Sequence, residues 1–205
     1  MSDDGIPKFT KHRTENLTDG IFATVMTILV LSLVVPVVTS SNVESELASD
    51  LVKLLPDILT YIMSFLVLGV LWIGHHSILR FITRADRITQ WLNLGFLLGV
   101  GFVPFTTALL GKYPMEKISL LAYGINLLAV AIMFTAFWFH AIRDHKSTQT
   151  NVNTQYLKSV SKRILVGVFI YLAGILCAFV NPQISMGLYV VMPVYYIVTG
   201  IIYYK

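Results

Sequence analysis

Residues 58–82 read ILTYIMSFLVLGVLWIGHHSILRFI, a run with no Asp, Glu or Lys and no Arg before Arg80. The hydrocarbon core of a bilayer is about 30 Å thick and takes about 20 helical residues to cross. The run is long enough, and it is apolar on every side rather than along one stripe, which is the signature of a helix surrounded by lipid and other helices. Comparable runs lie on both sides of it, at 17–38, 91–111, 118–140, 164–180 and 184–204. Turn formers separate them: Pro36, Pro56, Gly111 to Pro114, and Asn181 with Pro182. The expected fold is therefore an all-α integral membrane protein with six transmembrane helices in one domain spanning residues 1–205. A β-barrel is excluded because its spans are about 10 residues of alternating polarity.

Composition agrees with this reading. Of 205 residues 56% are hydrophobic and 13% charged, against about 25% charged in a typical soluble domain. The mean hydropathy is +0.73, which excludes a soluble globule and a disordered chain alike. The first run has no small-residue cleavage site after it and is read as a retained span rather than a secretory leader. Cys177 is the single cysteine and forms no internal disulfide. The polar stretch 141–161, rich in Thr, Asn and Gln, is read as a flexible linker.

The net charge of +4 is a topology marker, not a nucleic-acid patch. Twelve of the 15 basic residues fall at the amino terminus (Lys8, Lys11, Arg13), in the second-to-third connection (Arg80, Arg84, Arg87), in the fourth-to-fifth (Arg143, Lys146, Lys158, Lys162, Arg163) and at Lys205. Lys53, Lys112 and Lys117 are the other three, and the first outer loop carries Glu44, Glu46, Asp50 and Asp57. By the positive-inside rule both termini face the cytoplasm. Tyr113, Trp91, Trp138, Phe139, Tyr203 and Tyr204 near span ends fit interfacial belts.

Ionisable residues inside a span are functional candidates because burying a charge at the bilayer centre costs about 2.5–3.5 kcal/mol. Here no span carries a mid-membrane Lys, Arg, Asp or Glu, which argues against a voltage sensor, an ion-pair proton pump and a charged selectivity ring. The polar groups present gather at the cytoplasmic ends: Arg13 and Asp19 on the first helix, His75 and His76 on the second, Asn93 on the third. They would form a clamp that packs the first helix against the next two, or would simply reach interfacial water. Pairing of Asp19 with Arg13 or a histidine would lower its desolvation cost. Asn126 is the main amide at depth. Adjacent histidines diverge by about 100° on a helix and do not share an ion, so no metal site and no cofactor are expected. There is no G-x-S-x-G, H-E-x-x-H or G-x-x-x-x-G-K-[ST], so no catalytic residues are assigned and an enzyme is not expected.

Thr24, Thr27, Ile28 and Leu31 fall at i, i+3, i+4 and i+7 on the first helix, and Val34 and Val35 extend the stripe. Two hydroxyls followed by aliphatics would line a narrow pore, the hydroxyls touching a partly hydrated ion and the aliphatics making a dewetting constriction. Threonine in a membrane helix equally bonds its own i−4 carbonyl or packs between helices, and Thr106 and Thr107 in the third span show the same residue type. Gly95 and Gly99 suit a close helix contact, and Pro104 and Pro193 lie inside the third and sixth spans.

The stretch Arg13, Leu17, Thr18, Asp19, Gly20 resembles the R-x-x-x-F-S-D motif that opens the first helix of the lysosomal potassium channel family, the transmembrane protein 175 type, in its short prokaryotic form. Leu17 and Thr18 stand where that motif has Phe and Ser. Residues 71–76 (LWIGHH), 92–94 (LNL) and 104–111 (PFTTALLG) are similar to stretches of the second and third spans of the family. The resemblance implies a potassium-permeable cation channel without a T-V-G-Y-G filter, assembled as a homotetramer in the bilayer with the first helix of each subunit around a central pore. A prokaryotic cell membrane is the implied location. The family's pore positions fall on Thr24, Thr27, Ile28 and Leu31, and its cytoplasmic-side network on Arg13, Asp19, Trp72 and His75. The first constriction is usually Ile or Leu, whereas Thr24 stands there. Leu31 is therefore expected to supply the main hydrophobic gate. A secondary transporter and a non-conducting membrane protein are the competing readings; the first would bring discontinuous helices in related halves, and no such repeat is visible.

Overall fold

The computed structural model describes residues 11–38, 42–79, 82, 86–148 and 154–203. Lys8, Arg80, Arg84, Tyr204 and Lys205, used above for topology and interfacial position, lie outside the described residues. The chain is all-helical: α1 Lys11–Ile28, a 3-10 turn Leu29–Ser32, α2 Val43–Lys53, α3 Leu55–Leu79, α4 Arg87–Lys112, α5 Lys117–Thr148, α6 Thr154–Cys177 and α7 Pro182–Tyr203. Among the described residues five segments are long and apolar enough to cross a membrane: Lys11–Ser32, Leu55–Leu79, Arg87–Lys112, Lys117–Arg143 and Gln155–Cys177. The sixth expected span corresponds to the helix α7.

Three boundaries differ from the hydropathy reading. The first span is α-helical only to Ile28; it tightens into the 3-10 turn, Leu33 is extended, and residues 34–38 are irregular. Pro36 has no N–H to give, and it pushes Val35 out of the α region. The acidic outer loop forms α2, with Glu44 and Glu46 in its first turn, where the helix dipole favours them. The stretch read as a flexible linker is mostly helix, because α5 continues to Thr148 and α6 starts at Thr154. It contains no Pro or Gly to stop them.

Packing follows chain order, with α4 against α5, α5 against α6 and α6 against α7; α7 returns to touch α3, and α1 lies on α3 and α4. Lipid tails are as apolar as leucine, so contacts in such a bundle rest on close packing and interhelical hydrogen bonds rather than on transfer from water. Gly95 and Gly99 both face α5: a methyl on Gly99 would sit 2.6 Å from Val130 Cγ2, and one on Gly95 3.1 Å from the Met133 sulfur. Tyr189 lies against Gly124 and Gly174 and donates to the Leu120 carbonyl at 3.1 Å. The deep polar groups are paired among themselves. Thr107 donates to Ser64 at 2.8 Å, Ser64 and Tyr123 share a 3.0 Å bond, and Asn126 donates to Thr106 at 3.3 Å.

Asp86 begins α4. Its Oδ1 accepts from the Thr89 backbone N–H at 2.7 Å and meets His140 Nε2 of α5 at 3.1 Å. Burial pushes the Asp86 carboxyl up, but the hydrogen bonds from Thr89 and His140 outweigh it and hold the carboxyl below its usual range. The cap is thus fully formed above the ordinary carboxylate pKa and is lost as pH falls through the lowered folded value.

Two outcomes are expected. Gly99→Leu should cost about 1–3 kcal/mol by overpacking, read as a lower thermal midpoint in detergent, whereas Gly101→Ala, whose added methyl meets nothing within 4 Å, should leave that midpoint in place. Asp86→Ala should cost about 1 kcal/mol near neutral pH, and the difference from the native chain should vanish in acid, in the window where the lowered carboxyl takes its proton.

Candidate functional site

The first helix has two distinct sides. Thr14, Thr18, Phe22 and Val25 are buried, followed by Leu29 on the 3-10 turn at 0% exposure. These recur at helical spacing and form the face that packs on α3 and α4. The other face of α1 carries Leu17, Gly20, Thr24 and Thr27, all exposed in the protomer and separated by three or four residues. Ile28 lies at its flank, 46% exposed, and Leu31 is 73% exposed. All four residues expected to line a pore therefore sit on the surface that turns away from the protomer's own bundle.

The hydroxyls on that surface are partly engaged. Thr24 donates to the Gly20 carbonyl at 2.8 Å, and Thr27 reaches the carbonyls of Ala23 at 2.9 Å and Thr24 at 2.8 Å. This is the back-bonding that threonine commonly makes in a membrane helix. It consumes the hydroxyl proton and leaves oxygen lone pairs facing outward, so each threonine presents an acceptor rather than a donor. A surface of acceptors suits a cation.

A polar anchor holds the buried side. Asn93 of α4 reaches α1 and α3 together: its Nδ2 donates to Thr18 Oγ1 at 3.2 Å, Thr18 Oγ1 lies 3.3 Å from Asn93 Oδ1, and His75 Nε2 lies 2.8 Å from that same oxygen. Thr18 also donates to the Thr14 carbonyl at 2.9 Å. The His75 ring is stacked between Phe96 and Phe137, with centroids 5.2 and 4.9 Å away and planes within 7° and 3°. His76 faces outward while His75 is buried, as their 100° separation requires. No three His, Cys, Asp or Glu side chains converge on a metal-sized site among the described residues.

Asp19 is exposed, and its Oδ1 accepts from the Trp72 indole N–H at 2.8 Å. The histidine considered as its partner turns instead to Asn93. Glu15, Asp19, Trp72 and His76 line a narrow surface crevice beside this bond. Arg13 lies on the exposed side of α1, six positions before Asp19. Within the expected group Asp19 meets Trp72 and His75 meets Asn93, both at one end of the bundle. Sequence reasoning missed three participants: Thr18 as the link from α1 to Asn93, and Phe96 and Phe137 as the plates around His75. The buried spacing from Thr14 through Thr18 to Phe22 carried the signal for Thr18; nothing local marks the two phenylalanines.

An all-helical membrane bundle, with its first helix tied down on one side and presenting hydroxyls and aliphatics on the other, is the class this architecture defines. A family model described as the endosomal/lysosomal potassium channel TMEM175 matches residues 13–104, from Arg13 to the proline inside α4. The chain is 32% identical over 187 residues to a potassium channel of Chamaesiphon minutus, covering 90% of this chain and 92% of that one. It is 29% identical over 188 residues to a potassium channel of Streptomyces collinus, covering 90% of each. The crystal structure of a lysosomal potassium-selective channel TMEM175 homolog from Chamaesiphon minutus matches with a TM-score of 0.79 at 31% identity, over 92% of this chain and 97% of that one. The chain belongs to the TMEM175 family.

Asn93→Ala is expected to weaken the docking of α1. Interhelical hydrogen bonds in membranes are worth about 0.6 kcal/mol each and at most about 1.7, so losing those to Thr18 and His75 should cost about 1–3 kcal/mol. The check is the thermal midpoint in detergent, with Asn126→Ala, which loses one longer bond to Thr106, expected to shift it less.

Proposed function

We propose that this chain is a potassium-permeable channel that works as a homotetramer, with α1 of each subunit lining a central pore. The observation that carries the reading is the outward face of α1. Thr24, Thr27, Ile28 and Leu31 lie on a helix whose opposite side is fully engaged, and they offer acceptors and aliphatics without a fixed charge. Four copies of one such helix around an axis enclose a conduit that a single 205-residue bundle has little material to build. Weakly hydrated cations exchange water for hydroxyl oxygens at low cost, and the aliphatic level above resists wetting. The printed names of the bacterial relatives, potassium channels both, support the same ion.

The proposed topology has six spans with both termini in the cytoplasm. Contacts between Asp86 and His140, Trp138 and Ser161, and Arg163 and the Thr199 carbonyl gather the ends of α4 to α7 at one pole. That pole carries Lys11, Arg13, Arg87, Arg143, Lys158, Lys162 and Arg163, while the other has Lys53, Lys112 and Lys117. The positive-inside rule assigns the basic pole to the cytoplasm. The membrane is that of a prokaryotic cell, in keeping with the bacterial relatives.

The test is flux into liposomes under potassium or sodium gradients. Native protein should pass potassium preferentially, Thr24→Phe should block it, and Leu31→Ala should raise it about tenfold, the equivalent of about 1.4 kcal/mol off a barrier. Equal leak of both ions through the native protein and the Thr24 variant would remove the channel reading. Crosslinking should give a mass of four chains in every case.

A further inference from the structure

The last turn at the outer end of α1 closes in the 3-10 form, and a continued α-helix is the alternative way of closing it. In the structure Leu29–Ser32 is a 3-10 turn, Ser32 Oγ donates to the Leu29 carbonyl at 2.8 Å, and the Leu33 N–H bonds the Val30 carbonyl at 3.0 Å. In a continued α-helix the Leu33 N–H would take the Leu29 carbonyl itself, the i to i−4 bond, and release the Ser32 hydroxyl. One acceptor exchanges a side-chain donor for a backbone donor. Leu29 is fully buried and stays in place as the pivot.

The exchange moves one side chain. A 3-10 helix turns about 120° per residue and an α-helix about 100°. Across the three steps from Ile28 to Leu31 the two forms differ by about 60°. The 3-10 form places Leu31 above Ile28, at the flank of the exposed face. The α form places it between the columns of Thr24 and Thr27, opposite the buried line of Phe22, Val25 and Leu29. Pro36 limits the α form, because it lacks an N–H and disfavours α geometry at Val35.

We propose that Leu29–Ser32 is a 3-10 to α switch that gates conduction by turning Leu31 aside or into the pore, with the 3-10 form the less occluded. The switch rests on the reading of α1 as the pore helix. Pro36→Ala lifts the block on the α form, and Ser32→Ala removes the hydroxyl that occupies the Leu29 carbonyl; both should favour the occluded state.

Potassium flux into liposomes, with tetramers verified by crosslinking, tests this. Pro36→Ala should lower flux about tenfold, Ser32→Ala should lower it less, and Leu31→Ala added to Pro36→Ala should restore it to the level of Leu31→Ala alone. Unchanged or raised flux in both single variants, with Leu31→Ala still conducting more than the native protein, overturns the switch while leaving the pore reading intact. Failure of Leu31→Ala and Thr24→Phe alike to change flux overturns both.

Discussion

A primary amide buried in a bilayer protein has no water to fall back on, and Asn93 meets that constraint by joining three helices at one level. Its carbonyl faces His75 of α3 and its amide donates to Thr18 of α1. These partners fix the height and rotation of α1 against α3 and α4. Once Thr18 is turned inward, Phe22, Val25 and Leu29 follow at helical spacing into the same groove. The residues between them, Thr24, Thr27 and Ile28, have no choice but to face out. The stacking of His75 between Phe96 and Phe137 steadies the partner on the other side and brings α5 into the arrangement.

The face this leaves exposed is unusual for what it lacks. No carboxylate or cation lies on it between Gly20 and Val35, so selectivity in the proposed pore rests on hydroxyl acceptors, aliphatic width and hydration. Threonine back-bonding, which is often read as evidence that a hydroxyl is occupied, here leaves the oxygen available and removes only the donor. Asp19, at the end of this face, is exposed, and its carboxylate accepts from the Trp72 indole N–H.

Much of this was legible residue by residue. The long apolar runs located the helices, the distribution of Lys and Arg distinguished their ends, and Gly95 with Gly99 pointed to a tight contact that proved to be with Val130 and Met133 of α5. That Thr24, Thr27, Ile28 and Leu31 share one side of the first helix followed from 3.6-residue periodicity, and the resemblance to the family is what proposed a pore role for it. Less legible were features that depend on polar or short-range chemistry inside or beside apolar sequence. Hydropathy has no term for the missing N–H of Pro36, so it carried the first span through a segment that is 3-10 and then irregular. It also passed over α2, whose 11 residues are too polar to register as a span but carry Glu44 and Glu46 in the first turn, where the helix dipole favours them. The polar stretch around residue 148 looked like a linker because composition, not helix propensity, was the guide.

The sequence by itself determined the class: an all-helical membrane protein, the positions of its apolar helices, the basic pole, and the face of α1 on which hydroxyls and aliphatics align. Those are one-dimensional properties, set by length, charge and period. Only the tertiary structure decided which polar groups meet. Asn93 pairs with Thr18 75 positions away and with His75 18 positions away, and no local rule selects Asn93 over Arg13 or Asp19 as a partner for the histidine. The choice depends on helix rotation and depth, which the packing of Phe22, Phe96 and Phe137 fixes in three dimensions.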